Sequence, residues 1–283
     1  MFLTTLLKRR NGKSQSVFGT LDFLVQEPLE TYNAKEKDFL TSDQLNDFRS
    51  DAFLFHKRRQ GVLPEEKSYD QVFDRAALIR ILEDRQQYDS QYISGGPVNP
   101  KNGERYSNYS TEYRDWAASQ KKIVLTDEQA QMIEQIDFSV RAHPHANNLL
   151  SDGVAQGVVR TEYRGLSCQT RIDWLSSQHG IVSVVLRSNF IWPESHLRNG
   201  VVHRLAFQRG LISEYAAGDI PVHIIAVEKS APYRCGVWNV SPRLLRQSQK
   251  EITAAIERLK LCLQNDHWPS GYEEIQVLKP YPF

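Results

Sequence analysis

Little in this chain points outward to a membrane, an oxidising compartment or a polyanion. Its 283 residues include three cysteines, Cys168, Cys235 and Cys262, an odd number, far apart and without a CxxC pair. That pattern suits reduced thiols and argues against a zinc site or a disulfide framework. No apolar run approaches membrane-spanning length. The N-terminal Phe2 to Leu7 is too short for a signal core, and its basic residues follow the apolar stretch instead of preceding it. A cytosolic, cytoplasmic protein without a membrane partner is the expectation. Neither sign of charge dominates: the formal net charge is +1, so no global field draws the chain onto nucleic acid. Basic clusters at Lys8-Arg9-Arg10, Lys57-Arg58-Arg59 and Lys121-Lys122 read as solvated surface. No internal repeat and no low-complexity segment is present.

What remains is an ordinary globular composition, 40% hydrophobic and 24% charged, able to bury a core unaided. Residues 41–58 read as a first helix, with Thr41 and Gln44 forming a capping box. A second helix is expected from about Tyr69 to Arg85, with Phe73, Ala77 and Ile81 on one face. Gly95 to Gly103 is turn-rich and reads as a loop. Thr126 and Gln129 open a further helix carrying Ile133, Ile136 and Val140. Ala142-His143-Pro144 ends it, and Ala146 to Leu150 starts a short one.

From Val158 the period becomes alternating. Leu166, Cys168, Thr170, Ile172 and Trp174 are expected on one face, with Ser167, Gln169, Arg171 and Asp173 on the other. Ile181–Arg187 is apolar at nearly every position, as a central strand buried on both faces should be. Pro193 to Ile212 is a helix candidate; Val222–Glu228 and Cys235–Val240 are strands. Ser241-Pro242 caps a closing helix with Leu245, Ile252, Ile256, Leu259 and Leu263. One mixed α/β domain over residues 1–283 follows. It comprises an N-terminal extension (1–40), a helical part (41–150), a core sheet (151–240) and a C-terminal helix with its tail (241–283).

Asp173 stands on the polar face of its strand, with the next strand about ten residues on. Same-face carboxylates on adjacent strands hold Mg²⁺ well, because the ion wants hard oxygen ligands. On the second strand Ser183 and Val185 share a face, and Gln156 can approach from upstream. Several residues also have plainer readings. Leu78 is a core residue, His203 a satisfied helix residue, His143 and His145 a helix junction, and Glu228-Lys229 a surface ion pair. Glu162 and Glu194 are replacement ligands only if the metal site has moved.

The runs Gly153-Val154-Ala155-Gln156-Gly157-Val158-Val159-Arg160, Cys168-Gln169-Thr170-Arg171-Ile172-Asp173-Trp174 and Gly180-Ile181-Val182-Ser183-Val184-Val185 carry a resemblance. So do Val202-His203-Arg204-Leu205-Ala206-Phe207, Ala226 to Tyr233 and Trp268-Pro269-Ser270-Gly271-Tyr272-Glu273-Glu274. Together, over about residues 40–275, the chain resembles the RecE-type (exodeoxyribonuclease VIII-like) branch of the PD-(D/E)XK nucleases. The resemblance implies a restriction-endonuclease-like mixed sheet flanked by helices, and a Mg²⁺-dependent exonuclease of linear duplex DNA, in some members a ring. It places Leu78 where the family has a metal-linked His, and Gln156 where it has Glu. Asp173 is retained. Ser183 and Val185 stand for the Asp-x-Lys pair, with Trp192 and Glu194 beyond them, and Arg204 and Gln208 stand for the family's Gln and Tyr.

Too few anionic oxygens then remain to offset dehydration of a divalent ion, and Val185 cannot position water. The expectation is an inactive, phage-related exonuclease-like protein that binds double-stranded DNA or a DNA-recombination partner, alone or as a homo-oligomer. No cofactor is expected, or Mg²⁺ held by Asp173 if the chain is active. An active enzyme with an altered site and a protein-interaction domain without nucleic acid are the alternatives. Without a metal, a buried Asp173 needs a cationic or hydrogen-bonding partner. Arg204 is expected to supply it, with Arg171 and Arg187 as rivals.

Overall fold

The structure is a computed structural model, and it describes residues 16–63, 71–188, 200–275 and 277. Helices α1 (Leu29–Ala34), α2 (Ser42–Ser50), α3 (Ala52–Arg59), α4 (Gln71–Leu82) and α5 (Arg85–Gln91) come first. A small parallel pair, β1 (Tyr92–Ile93) and β2 (Ile123–Val124), brackets α6 (Thr111–Ser119). Then follow α7 (Asp127–Ala142) and α8 (Pro144–Leu149), and the strands β3 (Val154–Tyr163), β4 (Leu166–Ser176) and β5 (Gly180–Arg187). Helix α9 (Val202–Leu211), β6 (Val222–Glu228), β7 (Cys235–Asn239) and α10 (Pro242–Asn265) complete the chain.

Several boundaries were written locally. Both expected capping boxes form, at Thr41/Gln44 and Thr126/Gln129, and Ser241 caps α10 with Pro242 at its first turn. The expected helix over 41–58 is two helices: Asp51 leaves the helical region and its side chain accepts from Leu54 N, capping α3. The second expected helix ends at Leu82, because Asp84 caps a new one, α5; its first residues, 69 and 70, lie outside the described residues. Of the candidate helix over 193–212, residues 193–199 also lie outside them. His143 is the junction residue it was read as, its Nδ1 accepting from Ala146 N.

The main sheet runs β3-β4-β5-β6-β7, antiparallel except for the parallel β5–β6 pair reached through α9. One face carries Cys168, Ile172, Leu175, Ile181, Val185 and Ile224 against α2, α3, α9 and α10. The other carries Val182, Val184, Ile225 and Val227 against α4, α7 and α8. β5 is thus buried on both sides, as its unbroken apolar run requires. On α10 the apolar stripe passes through buried Cys262, and Leu263 is 45% exposed, correcting its assignment to the core face. Trp268, beyond α10, stacks on His56 with ring centroids 4.2 Å apart and packs against Phe48 and Phe55.

At its β3 edge the sheet is met at one point by the segment ahead of α1. Val25 and Val158 exchange both backbone hydrogen bonds, at 2.8 and 2.9 Å. At the inner end the β4–β5 hairpin turns tightly. Gly180 has φ +71, and a Cβ there would meet Pro221 O at 2.3 Å, so only glycine fits.

Candidate functional site

Alternation along β3 and β4 fails once, and at the same level in both. Gln156 and Asp173 fall between the ladder pairs Ala155↔Trp174 and Gly157↔Ile172, and Gln156 holds φ +54 inside a strand, a sparsely populated conformation for a residue with a side chain. Beyond it the faces exchange. Ile172 lies in the first core, but Trp174 packs against the second and Leu175 returns to the first. Trp174 therefore does not share a face with Ile172 as strict alternation predicted.

Next to this break β4 and β5 part. They pair at Ser176↔Gly180, Leu175↔Ile181 and Trp174↔Val182, and no further. A fork of this kind leaves backbone donors and acceptors without ladder partners, which burial does not tolerate. Two side chains fill it. Asp173 Oδ2 accepts from Val184 N at 3.1 Å and from Ser183 Oγ at 2.7 Å. From α9, Gln208 Nε2 donates to Arg171 O at 3.0 Å. Further out, Leu40 takes the place β5 has vacated, donating to Ser167 O and accepting from Gln169 N.

Two guanidinium groups enter the fork. Arg204, also from α9, donates through Nη2 to Ser183 Oγ at 2.9 Å, and the same nitrogen lies 3.9 Å from Asp173 Oδ2. Its partner is therefore chiefly the hydroxyl, with the carboxylate one bond further on. Arg171 turns to Gln156, its Nε donating to Oε1 at 2.7 Å. Arg171 was a rival for Asp173; it serves the position across the ladder instead. Buried nitrogens on both arginines, Nη1 of Arg171 and Nε of Arg204, have no partner among the described residues.

The structure thus brings Gln156, Asp173, Ser183, Arg204 and Gln208 together. Val185 is beside them, but its side chain belongs to the first core at 9% exposure. Leu78 on α4 packs against the second core, the plain reading made of it. Trp192 and Glu194 lie outside the described residues. Glu162 is at the far end of β3, opposite Ser167, and exposed. Glu228-Lys229 is no surface pair: Glu228 is buried against Arg234, and Lys229 reaches Asp74 at 2.7 Å. His203 is buried, with Nε2 2.5 Å from Glu251 Oε2, and that bond holds the Glu251 carboxyl below its usual range.

A divalent cation does not fit these donors. Gln156 Oε1 already accepts from a guanidinium, and Ser183 Oγ bonds both a carboxylate and a guanidinium. Val185 offers no ligand atom, and a second positive charge would sit beside Arg204. Among the described residues no three His, Cys, Asp or Glu side chains group so as to hold a metal ion.

Sequence reasoning did not find a cleft that opens beside the fork, enclosing about 660 Å³ between α1, α4, α5 and the strands β3 and β4. Gln156 and Arg171 form its strand wall. Glu27 lies at its rim, where hydrogen bonds from Arg160 and Lys35 hold its carboxyl below the usual glutamate range. Glu83, in the turn between α4 and α5, is pushed the other way by burial. No periodic pattern signals such walls, because they come from elements distant in the chain.

Residues 97–281 match a family described as "PDDEXK-like domain of unknown function (DUF3799)". The chain belongs to this family. Its mixed sheet flanked by helices is the PD-(D/E)XK fold that the motifs implied. The fold is also that of a crystal structure from Eubacterium rectale named "Putative exonuclease", with a TM-score of 0.62 and 13% sequence identity. That likeness covers 91% of this chain and 97% of the other. No curated protein matches the chain. No helix among the described residues is long and apolar enough to cross a membrane.

Proposed function

We propose that this PDDEXK-like protein binds duplex DNA in the manner of an exodeoxyribonuclease VIII-like relative but does not cut it. The observation that carries the reading is the Arg204–Ser183–Asp173 chain of contacts at 2.9 and 2.7 Å. Hydrolysis by this kind of site needs two cations that neutralise the phosphate and activate water, each held by several anionic oxygens. Here one carboxylate is left. It is committed to Val184 N and Ser183, and the cationic charge at the fork comes from guanidinium groups that cannot lower the pKa of a bound water. Val185 supplies no ammonium to orient one. Binding of DNA is supported by the fold, which is an argument from analogy.

The test is incubation of the purified protein with end-labelled linear duplex and Mg²⁺ or Mn²⁺. The expected result is salt-dependent binding, since phosphate contacts release counterions, with no release of nucleotides. Metal-dependent cleavage abolished by Asp173→Ala would replace this reading with an active nuclease. Absence of binding at low salt would leave a module that contacts other proteins.

A further inference from the structure

Helix α3 turns its outer face to solvent with apolar side chains on it. The inner face gives Ala52 and Phe55 to the first core and His56 to Trp268. On the outer face Phe53 and Leu54 are 40% and 39% exposed. The chain then reverses at Gly61, φ +72, where Val62 N donates back to Lys57 O at 3.1 Å. That turn brings Val62 and Leu63, 64% and 36% exposed, beside Lys57, whose ammonium lies over the Phe53 ring at 5.4 Å. Single exposed apolar residues are ordinary, but a cluster rimmed by charge marks a contact surface. Its rim is cationic. Arg58 meets Asp47 at 3.2 Å in a partly exposed pair of little energetic value. Lys57 and Arg59 reach only neutral acceptors among the described residues, each at 3.5 Å.

A segment of complementary chemistry leaves the fold close by. Trp268, stacked on His56, roots the residues after α10 against α3. Beyond it Tyr272 is 79% exposed and Ile275 98%, and Glu273 and Glu274 stand between them. Donation from the Ser270 amide above all, with Ser270 Oγ and Gly271 N, holds the Glu273 carboxyl below its usual range. These donors are neutral, so the group stays anionic and its charge is not cancelled. We propose that the α3 patch and this acidic segment are the two halves of one interface between copies of this chain. Tyr272 and Ile275 of each copy lie on Phe53 and Leu54 of the other. Asp47 offsets Arg58, so the two glutamates meet the surplus charge of Lys57 and Arg59. Apolar side chains at the centre and charge at the rim is the arrangement that protein interfaces take. Both halves are open to solvent within a single chain. Because Trp268 holds the root of the segment beside the patch, a twofold axis lets each copy give and receive at once. Such a contact closes at two chains. This inference does not depend on duplex binding.

The experiment is sedimentation velocity of the full chain, without nucleic acid, across the micromolar range. Monomers are expected at low concentration and dimers at high. Phe53→Ser with Leu54→Ser should weaken dimerisation on the order of tenfold or more, and so should Tyr272→Ser with Ile275→Ser. Lys57→Glu, which keeps the apolar patch and reverses one charge, should weaken it severalfold. An equimolar mixture of the two double variants should recover dimers, weaker than the wild type, because one chain keeps the patch and the other the segment. A side chain needed only for folding gives no such recovery. A wild-type chain monomeric throughout would overturn the proposal. So would a dimer indifferent to either double change, or a mixture without recovery. Loss on changing the patch but not the segment would assign the patch to a different partner, and assemblies larger than two would exclude the twofold arrangement.

Discussion

Ser183 donates its hydroxyl proton to Asp173 Oδ2 at 2.7 Å, so this carboxylate works as an acceptor that closes the fork. Its removal should be felt as lost stability. Asp173→Ala leaves Val184 N without an acceptor and Arg204 without a nearby anion, a cost of about 2–4 kcal/mol. Asp173→Asn keeps an acceptor for Val184 N and should cost about 1 kcal/mol. The shift in urea midpoint measures both, and an unshifted Asp173→Ala would show that the carboxylate is not structural.

Val185→Lys, which would place a lysine where the resemblance implies one, should be poorly tolerated alone. The side chain lies in the first core at 9% exposure, and a buried ammonium without a partner is costly, about 2–4 kcal/mol. Adding Ser183→Asp should recover part of that loss by bringing an opposite charge within reach. Midpoints of the two single variants and the double variant give the coupling. Together with Leu78→His, Gln156→Glu, Arg204→Gln and Gln208→Tyr, the pair tests whether cleavage with Mg²⁺ can be recovered.

Glu27 gives the fold an acid-sensitive clasp. Arg160 above all, and Lys35 at 3.3 Å, hold its pKa below the ordinary glutamate value of 4.5. Its side chain is 9% exposed. A carboxylate lowered in the folded state stabilises fully above its unfolded pKa, and that contribution disappears as pH falls through the folded value. Thermal midpoints should therefore decline below about pH 4.5. Glu27→Gln should lower the midpoint near neutrality and flatten the acid decline. An unchanged profile would mean that other carboxylates govern it.

The thiols should be inert in the native state. Burial pushes Cys168 up to about 12 and Cys235 up to about 11, and only the thiolate reacts at a useful rate. Iodoacetamide at mildly alkaline pH should label both slowly, with the rate rising sharply in urea. Rapid labelling of Cys168 in the folded chain would mean that β4 opens locally.

Much of this architecture is written in short-range chemistry. The caps at Thr41, Thr126 and Ser241 and the continuous apolar run of β5 each specify an element by themselves. That Gln156, Asp173, Ser183, Arg204 and Gln208 lie near one another was expected only through the family resemblance, since they come from separate elements. A period of two could not reveal its own interruption: one residue at φ +54 reverses the faces beyond it, and nothing in the composition of Gln156 announces this. The Arg171–Gln156 bond crosses the ladder, so it is visible only once strand register is known. The division at Asp51 was legible in principle, since Asp followed by an apolar helix former is a cap signal. Trp174 misled because a large aromatic fits either core.

The two bonds between Val25 and Val158 set a limit on how the chain may be shortened. Trimming everything ahead of Pro28 would bare the amide and carbonyl of Val158 on the outermost strand, the kind of edge that invites a second molecule to add its own strand. Such a shortened protein would also lose Phe18 from the first core and would self-associate as concentration rises, clouding any assay that takes monomers for granted.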